Sequence, residues 1–257
     1  MGAEGDQPVV RPLASMDDIG AAVVLLAEIW GEPGPVSAEL LRAIGHAGGY
    51  ASAAWQGAEL VGASVGFLAR HDGGELLLHS HVSGVKPSWQ GTSVGYALKQ
   101  HQRAWAAEHG IRTIEWTFDP LSRRNAYFNV GKLGATIVGF EPDFYGTMRD
   151  AINAGDASDR AIVRWDVDAT GRGAVPRPHV ILSCNDLGDP VTLAAGTASA
   201  LRAWIPEDHA AMRQAAPARA RRWRDAFRAT VGAAVQDGYV AVDMTRDGWY
   251  TLVRRPS

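Results

Sequence analysis

The spacing of apolar residues changes repeatedly between the two-residue period of a strand and the longer period of a helix. Val9 to Leu13 predicts a short strand. Ser15 is a typical N-cap for a helix that runs to Trp30 and ends at Gly31. A second, shorter helix is predicted to begin after Ser37. The chain therefore opens with a strand and two helices.

The same periodicities continue through the first two thirds of the chain. Helices are predicted at 95–109 and 125–133, and strands at 50–55, 60–67, 75–85, 113–118, 136–140 and 161–167. The order is strand, two helices, three strands, helix, strand, helix and two strands. Such alternation predicts an α+β fold (α/β three-layer) rather than a helix bundle or a β-sandwich.

Regular periodicity stops between Asp168 and Pro178, where glycine and proline cluster. We predict a first domain over 1–168, a linker over 169–178 and a smaller α+β extension over 179–257. In that extension the pattern predicts a helix at 216–236 and strands at 200–205, 239–244 and 249–253.

The helix predicted at 216–236 is rich in arginine. One interpretation is a phosphate site. The favoured interpretation is a solvated face opposite a buried stripe of Trp223, Phe227 and Val231. The arginines concerned are Arg219, Arg221, Arg222, Arg224 and Arg228.

Composition excludes several classes of function. Hydrophobic residues make up 46% of the 257 residues, which is enough for a large core. A net charge of −3 and a pI near 6.2 give no electrostatic attraction to nucleic acid or an anionic membrane, so neither is an expected partner. Met1 to Pro12 lacks the features of a secretory signal, and we expect a cytoplasmic protein. The single cysteine, Cys184, rules out an internal disulfide and a cysteine-rich zinc site.

The stretch from Val85 to Lys99 joins a strand end to a helix start. Its small residues Gly91, Ser93 and Gly95 let a ligand approach the backbone. The free N–H groups and the positive dipole end of the helix attract an anion, and a pyrophosphate fits this chemistry. By itself, however, the pattern also suits a merely structural turn.

This stretch resembles the acyl-CoA loop of the GNAT superfamily of N-acetyltransferases. The usual form there is Gln or Arg, two residues, Gly, one residue, then Gly or Ala. Gln90 and Gly95 match its ends, and Ser93 replaces the middle glycine. If position 93 required a positive φ, serine would cost about 1 kcal/mol.

A longer series of short matches resembles a subfamily of predicted GNAT acetyltransferases with a C-terminal extension. In the first domain they are Ser80-His81, Gly84-Val85, Trp116 to Leu121, Asn125-Ala126, Phe128-Asn129, Lys132 to Ala135, Tyr145-Gly146 and Ser158 to Arg160. In the extension they are Ile205 to Asp208, Trp223-Arg224 and Gly238-Tyr239.

The resemblance implies the GNAT fold, with a mixed, mostly antiparallel central sheet and the extension docked on the first domain. It also implies an acyltransferase that uses acetyl-CoA or another acyl-CoA. We expect no metal, because the sequence shows no further ligands near the histidine pair His79 and His81. Some relatives acylate amino acids, including with succinyl-CoA. The implied cofactor-binding residues are Val85, Gln90, Gly91, Thr92, Ser93, Val94, Gly95, Tyr96, Trp116, Asn125 and Asn129.

An amine must lose a proton before it attacks a thioester, so the site needs a base. His79 and His81 lie two apart on the strand at 75–85 and should share one face. Arylalkylamine acetyltransferases of the superfamily have a similar pair, and we expect His81 first and His79 second as the base. Two alternatives remain, a shared metal without further ligands nearby and a purely structural histidine.

The departing thiolate needs an acid, which in many GNAT enzymes is a tyrosine on the helix before the final hairpin. Val130 occupies that position here. Tyr127 and Tyr145 are the replacement candidates, and either is also a suitable packing or substrate-binding residue.

Three functions compete at this point. The absence of the usual tyrosine favours a non-catalytic acyl-CoA sensor or assembly domain, whereas the histidine pair favours an enzyme. A peptide acetyltransferase would need an open groove. We expect the extension to cover the site with Trp204, Trp223 and Trp249. The predicted acceptor is therefore a small-molecule amine. The sequence does not decide which acyl group is transferred or whether the protein forms a homodimer.

Overall fold

The computed structural model describes residues 8–31, 34–71, 73–146, 157–169, 171 and 175–255. Their contacts form two compact units. The first unit contains the described residues up to Trp116 together with Asp166–Asp168, and the second contains the others. This division differs from the predicted domains 1–168 and 179–257, whose boundary stays a prediction. Residues 170 and 172–174 of the predicted linker lie outside the described part.

A five-stranded sheet forms the centre of the first unit. Neighbouring strands pair in chain order and are antiparallel, except for the parallel pair β4 and β5. The strands are β1 Val9–Pro12, β2 Tyr50–Gln56, β3 Glu59–Arg70, β4 Leu76–Val85 and β5 Thr113–Phe118, whose last two residues belong to the second unit.

Helices cover both faces of this sheet. On one face lie α1 Met16–Trp30 and α2 Ala38–His46, packed in one apolar cluster with β2 and β3. On the other lies α3 Val94–Glu108, whose apolar side chains pack with Ala54 and Val61. Ala53 and Ala54 are neighbours on β2, and their side chains lie in the two clusters on opposite faces of the sheet. This is the alternation that a strand requires. The predicted three-layer arrangement is confirmed.

Local signals set the helix ends. The Ser15 hydroxyl accepts the Asp18 N–H at 3.1 Å, and Gly31 ends α1 with a φ of 89°. Ser37 caps α2 in the same way through the Leu40 N–H. These ends agree with the prediction because a cap depends on neighbouring residues in the chain.

In the second unit the strand order is β7-β6-β11-β12-β10-β8-β9. Its pairs are antiparallel except for β8 and β10. The strands are β6 Thr136–Glu141, β7 Arg160–Asp166, β8 His179–Cys184, β9 Pro190–Thr192, β10 Ala200–Trp204, β11 Tyr239–Met244 and β12 Trp249–Arg254. The helices are α4 Arg123–Ala126, α5 His209–Ala215, α6 Pro217–Phe227 and α7 Ala233–Gln236.

The pattern did not predict β8, β9 or α5, and it predicted single helices where the structure has interrupted ones. Helix α4 continues into a π-helical turn at Tyr127–Lys132, and another π-helical turn at Arg228–Gly232 joins α6 to α7. At the second turn a Cβ on Gly232 would lie 2.8 Å from the Phe140 ring. This close packing comes from β6, so the local sequence period does not reveal it.

The solvated-face interpretation of the arginine-rich helix is wrong for part of the run. Trp223, Phe227 and Val231 form the predicted buried stripe. Arg224, however, is only 3% exposed and pairs with Asp119. The Arg228 guanidinium lies 2.5 Å from the buried carboxylate of Asp159. The acidic partners are distant in sequence, so the helical pattern alone could not identify them.

Candidate active site

The loop between β4 and α3 presents backbone amides at a helix N-terminus. In the described chain, no acceptor is found for the N–H groups of Gly91, Ser93 and Gly95, while the Val94 N–H contacts the Thr92 hydroxyl at 3.4 Å. Gly91, Thr92 and Ser93 are exposed. Three such amides, on exposed or half-buried residues beside the positive end of a fifteen-residue helix, have the chemistry that suits an anion.

Internal hydrogen bonds hold the loop in shape. The Gln90 side chain donates to the Val85 carbonyl at 3.2 Å, and the Thr92 hydroxyl donates to the Trp89 carbonyl at 2.6 Å. Gly91 is the residue with a positive φ, 82°, whereas Ser93 has an ordinary φ of −77°. Ser93, in the middle glycine position, therefore carries no backbone strain. The free-energy cost that a positive φ would have imposed on serine does not arise.

Strands β4 and β5 part beside this loop. Their pairing consists of Leu78 with Ile114 and His79 with Glu115, after which β4 continues to Val85. We call the next residue on each strand, Ser80 and Trp116, the fork point. Beyond it, in the part of the chain described, β4 pairs only with β3. The β4 backbone that faces the fork is thus available to a ligand, and Val85 lies at its far end.

The two predicted base candidates lie on the same side of β4. The His79 and His81 rings are 6.4 Å apart, and both contact Phe67, with His79 stacked on that ring at 4.9 Å. The strand has a bulge at His81, because Val82 pairs with Val65 while Ser80 pairs with Gly66. The bulge leaves His81 exposed and keeps Val82 in the apolar cluster under α1.

Both imidazoles titrate below the ordinary histidine range. Burial lowers the pKa of His79, and the charges of His81 and Lys99 lower it further, while Glu115 raises it. Partial loss of water around the ring also lowers the pKa of His81, against the opposing effect of the Pro35 carbonyl. Both rings are therefore mainly neutral at pH 7, the form that accepts a proton.

Four predicted site residues belong to the second unit. The Tyr127 hydroxyl accepts a hydrogen bond from Arg246 Nε at 3.0 Å. Tyr145 is 50% exposed, with its hydroxyl 3.5 Å from Thr117 Oγ1. Asn125 is exposed and Asn129 is buried.

Val130, at the position of the usual acid, is fully buried. Tyr96, in the first unit, is 38% exposed on the first turn of α3. The roles of all these residues stay predictions.

Sequence reasoning missed a buried charge beside the fork point. Lys99 is 5% exposed, and its ammonium donates to Ser80 Oγ at 2.8 Å. The local pattern could not reveal it, because Lys99 lies five residues after Val94, outside the three- and four-residue spacing of the apolar positions of α3.

The described residues contain neither a metal-binding cluster nor a membrane-spanning helix. No group of three or more His, Cys, Asp or Glu residues is placed to hold a metal ion. None of the described helices is long and apolar enough to cross a membrane.

Comparison with known proteins relates the chain through its fold. No family model matches the sequence, and no curated protein matches it. An N-acetyltransferase from Staphylococcus aureus Mu50 is similar in structure, with 14% identity, 63% of this chain and 100% of that chain covered, and a TM-score of 0.51.

Two further structures have TM-scores of 0.50. The acetyltransferase YncA from Salmonella typhimurium, solved with its cofactor acetyl-CoA, has 17% identity over 65% of this chain and 98% of that chain. A GNAT-family acetyltransferase from Streptococcus pneumoniae has 12% identity over 62% and 99%. The chain therefore has the GNAT fold, and about a third of it lies outside the matched share.

Proposed function

We propose that this chain is an N-acyltransferase that transfers an acyl group from acyl-CoA to an amine. The observation that carries the proposal is the set of three amides at the start of α3, next to the point where β4 and β5 part. The amides suit a pyrophosphate, and the open β4 edge suits the amide groups of a pantetheine arm. The GNAT fold, shared with the acetyl-CoA complex from Salmonella typhimurium, supports the same ligand.

The chemistry needs a base on the amine side. His81 is exposed and His79 is half-buried on one side of β4, and both are mainly neutral at pH 7. A neutral imidazole can take the proton that the amine loses as its nitrogen attacks the thioester carbonyl. Backbone N–H groups of β4 near the fork point would polarise that carbonyl. We assign His81 as the first candidate because a substrate can reach it.

The acceptor we propose is a small-molecule amine, with an amino acid as the leading class. The support is the sequence resemblance to GNAT proteins that acylate amino acids, and the net charge of −3 gives no sign of a nucleic-acid substrate. As part of the same proposal, the enzyme acts in the cytoplasm.

A second candidate is a non-catalytic acyl-CoA sensor. It is favoured by Val130, a fully buried apolar residue where many GNAT enzymes have the catalytic tyrosine. In a sensor the loop would bind acyl-CoA, but no thioester would be consumed.

Mass spectrometry tests the two candidates together. The protein is incubated with acetyl-CoA or succinyl-CoA and pooled amino acids, and the products are searched for an added acyl group. An acylated amino acid, with free CoA in equal amount, supports the enzyme. Binding of acyl-CoA without any product across amino acids and simple amines supports the sensor. Absence of binding contradicts both.

A further inference from the structure

The buried ammonium of Lys99 lies at the fork point and connects the two strands. Its Nζ donates to Ser80 Oγ on β4 at 2.8 Å, and it lies 4.0 Å from the centre of the Trp116 ring on β5. Ser80 and Trp116 are the first residues beyond the last paired position of these strands. The ammonium also donates to Gln102 Oε1 at 3.1 Å. All three N–H groups of the ammonium thus have partners, and two of the partners mark the fork point.

The hydroxyl proton of Ser80 is available to a ligand. Since Lys99 donates to Ser80 Oγ, the oxygen acts as an acceptor and the Ser80 hydroxyl can donate its own proton elsewhere. Serine lies directly beside the bulged His81, on the part of β4 that has no partner on the fork side. A ligand atom at the fork point could accept a hydrogen bond from the Ser80 hydroxyl, which itself accepts one from the Lys99 ammonium.

We propose that Lys99 supplies the proton for the departing CoA thiolate, relayed through the Ser80 hydroxyl. The inference rests on the proposed acyl transfer and names the acid that Val130 cannot provide. When the tetrahedral adduct collapses, the C–S bond breaks and its electron pair stays on sulfur. Ser80 gives its proton to the sulfur and takes one from the Lys99 ammonium, which becomes a neutral amine. A proton from water restores the ammonium.

The energetics of the site suit an acid that works near neutral pH. Burial lowers the pKa of Lys99 to about 7, and no carboxylate of the described chain pairs with it. An ordinary lysine, with a pKa near 10.4, would hold its proton too tightly to give it up readily to a thiolate. The lowered value leaves about half of the molecules protonated at pH 7.

Few other charged groups approach Lys99 within the first unit. Helix α3 itself contributes His101, bonded to Tyr50, and Arg103, bonded to the Val167 carbonyl. On the strands, alternation places His79 of β4 and Glu115 of β5 on the opposite face of the sheet from Ser80 and Trp116. The charge of Lys99 lowers the pKa of His79, whereas the lowered pKa of Lys99 itself comes from burial.

Lysine NMR can test the relay without knowledge of the acceptor. The chain has three lysines, so selective ¹³C labelling of the ε carbon gives three signals, and Lys99→Met assigns one of them. The signals are followed from pH 5 to 9 in the free protein, with the sulfonate obtained by oxidising the CoA sulfur, and with a CoA analogue that lacks the sulfur atom. Lys86 and Lys132 are internal controls.

We expect the CoA sulfonate to raise the titration midpoint of Lys99 by about one unit, because its fixed negative charge lies where the thiolate forms and stabilises the ammonium. CoA itself would not do so, because it stays a neutral thiol through this titration. The sulfur-free analogue should leave the midpoint unchanged although it binds. Ser80→Ala should remove the difference between the two ligands while Lys99 still titrates. In turnover, Ser80→Ala and Lys99→Met should each lower kcat by about 10²-fold, and the double variant should be no slower.

Three outcomes would overturn the relay. Equal midpoints with the CoA sulfonate and with the analogue would give Lys99 a purely structural role, while acyl-CoA binding would still support the proposed function. Additive losses of kcat in the double variant would show that the two residues act separately. If neither ligand changed any signal or the thermal midpoint of the protein, the proposed function and the relay would both be wrong.

Discussion

The Arg224 guanidinium binds the Asp119 carboxylate in a two-pronged ion pair, with distances of 2.7 and 2.9 Å. Arg224 is almost completely buried on α6, and Asp119 follows β5 in the same unit. Burial by itself would raise the pKa of Asp119, but the hydrogen bonds and charge of Arg224 outweigh it and hold the pKa below 3.8. The ion pair joins the loop after β5 to the C-terminal helices.

Breaking this ion pair should destabilise the protein. Arg224→Met should lower the free energy of unfolding by about 3 kcal/mol, near the lower end for broken buried pairs because Asp119 keeps 24% of its side chain exposed. Chemical denaturation at pH 7 measures the change. Arg222→Met is the matched control, since that exposed arginine pairs with Asp189 at the surface and its loss should cost much less than the loss of Arg224. Equal losses in both variants would contradict the assignment.

Acid should reduce the difference between Arg224→Met and the wild type. The folded-state pKa of Asp119 is lowered, so the stabilisation is complete above the ordinary value of 3.8 and is lost as the pH falls through the lower folded value. Unfolding measured at pH 7 and again near pH 3 should therefore show a smaller gap in acid. The double variant Asp119→Asn/Arg224→Met should recover part of the loss, because it leaves no unpaired buried charge.

Gly95→Glu should abolish stabilisation by acyl-CoA. Binding to the folded state alone adds about 2.7 kcal/mol at a ligand concentration a hundred times Kd, which a thermal melt detects. A glutamate at the second residue of α3 adds bulk and a negative charge beside the free amides. Gly45→Glu, on an exposed position of α2 with no atom within 4 Å of an added Cβ, is the matched control. An unchanged shift in Gly95→Glu would place the cofactor elsewhere.

His81→Ala should lower kcat by about 10²-fold while the acyl-CoA thermal shift remains. The base must be neutral to act, so wild-type activity should rise with pH through the lowered His81 pKa, below about 6.5. The variant should lose this rise and recover in part at high pH, where the amine is already neutral. A pH profile of kcat is the measurement, with His79→Ala beside it. Near-normal turnover at pH 7 would make His81 structural.

Truncation after Asp168 should give a poorly soluble protein. In the second unit β6 pairs with β11, with Ile137 opposite Ala241, and Asp119 and Asp159 bind arginines of the C-terminal helices. The truncated chain would expose the edge of β6 and two carboxylates without partners. Soluble yield and activity of residues 1–168 are the measurement. A soluble, fully active fragment would confirm the domain boundary predicted from sequence and contradict this expectation.

The sequence determined the features that depend on neighbouring residues. Ser15 and Gly31 mark the ends of α1, since a cap is a bond within one turn of the chain. The layer order followed from apolar spacing, and the β4–α3 loop could be recognised because its amides, its glycines and the helix start are contiguous. Gly91 and Gly95 were therefore identified before any tertiary information, although which loop residue needs a positive φ was not.

Tertiary structure alone decided the features that join distant segments. The bulge at His81 arises from the register between β3 and β4, and it leaves His81 exposed while Val82 stays in the apolar cluster. Lys99 meets Trp116, and Arg224 meets Asp119, across separations that no local period records. Each contact joins charged or polar groups that lose water on folding, so its energy depends on how the whole unit excludes solvent. A sequence pattern states which residues are polar, but the packed fold decides which of them become buried partners.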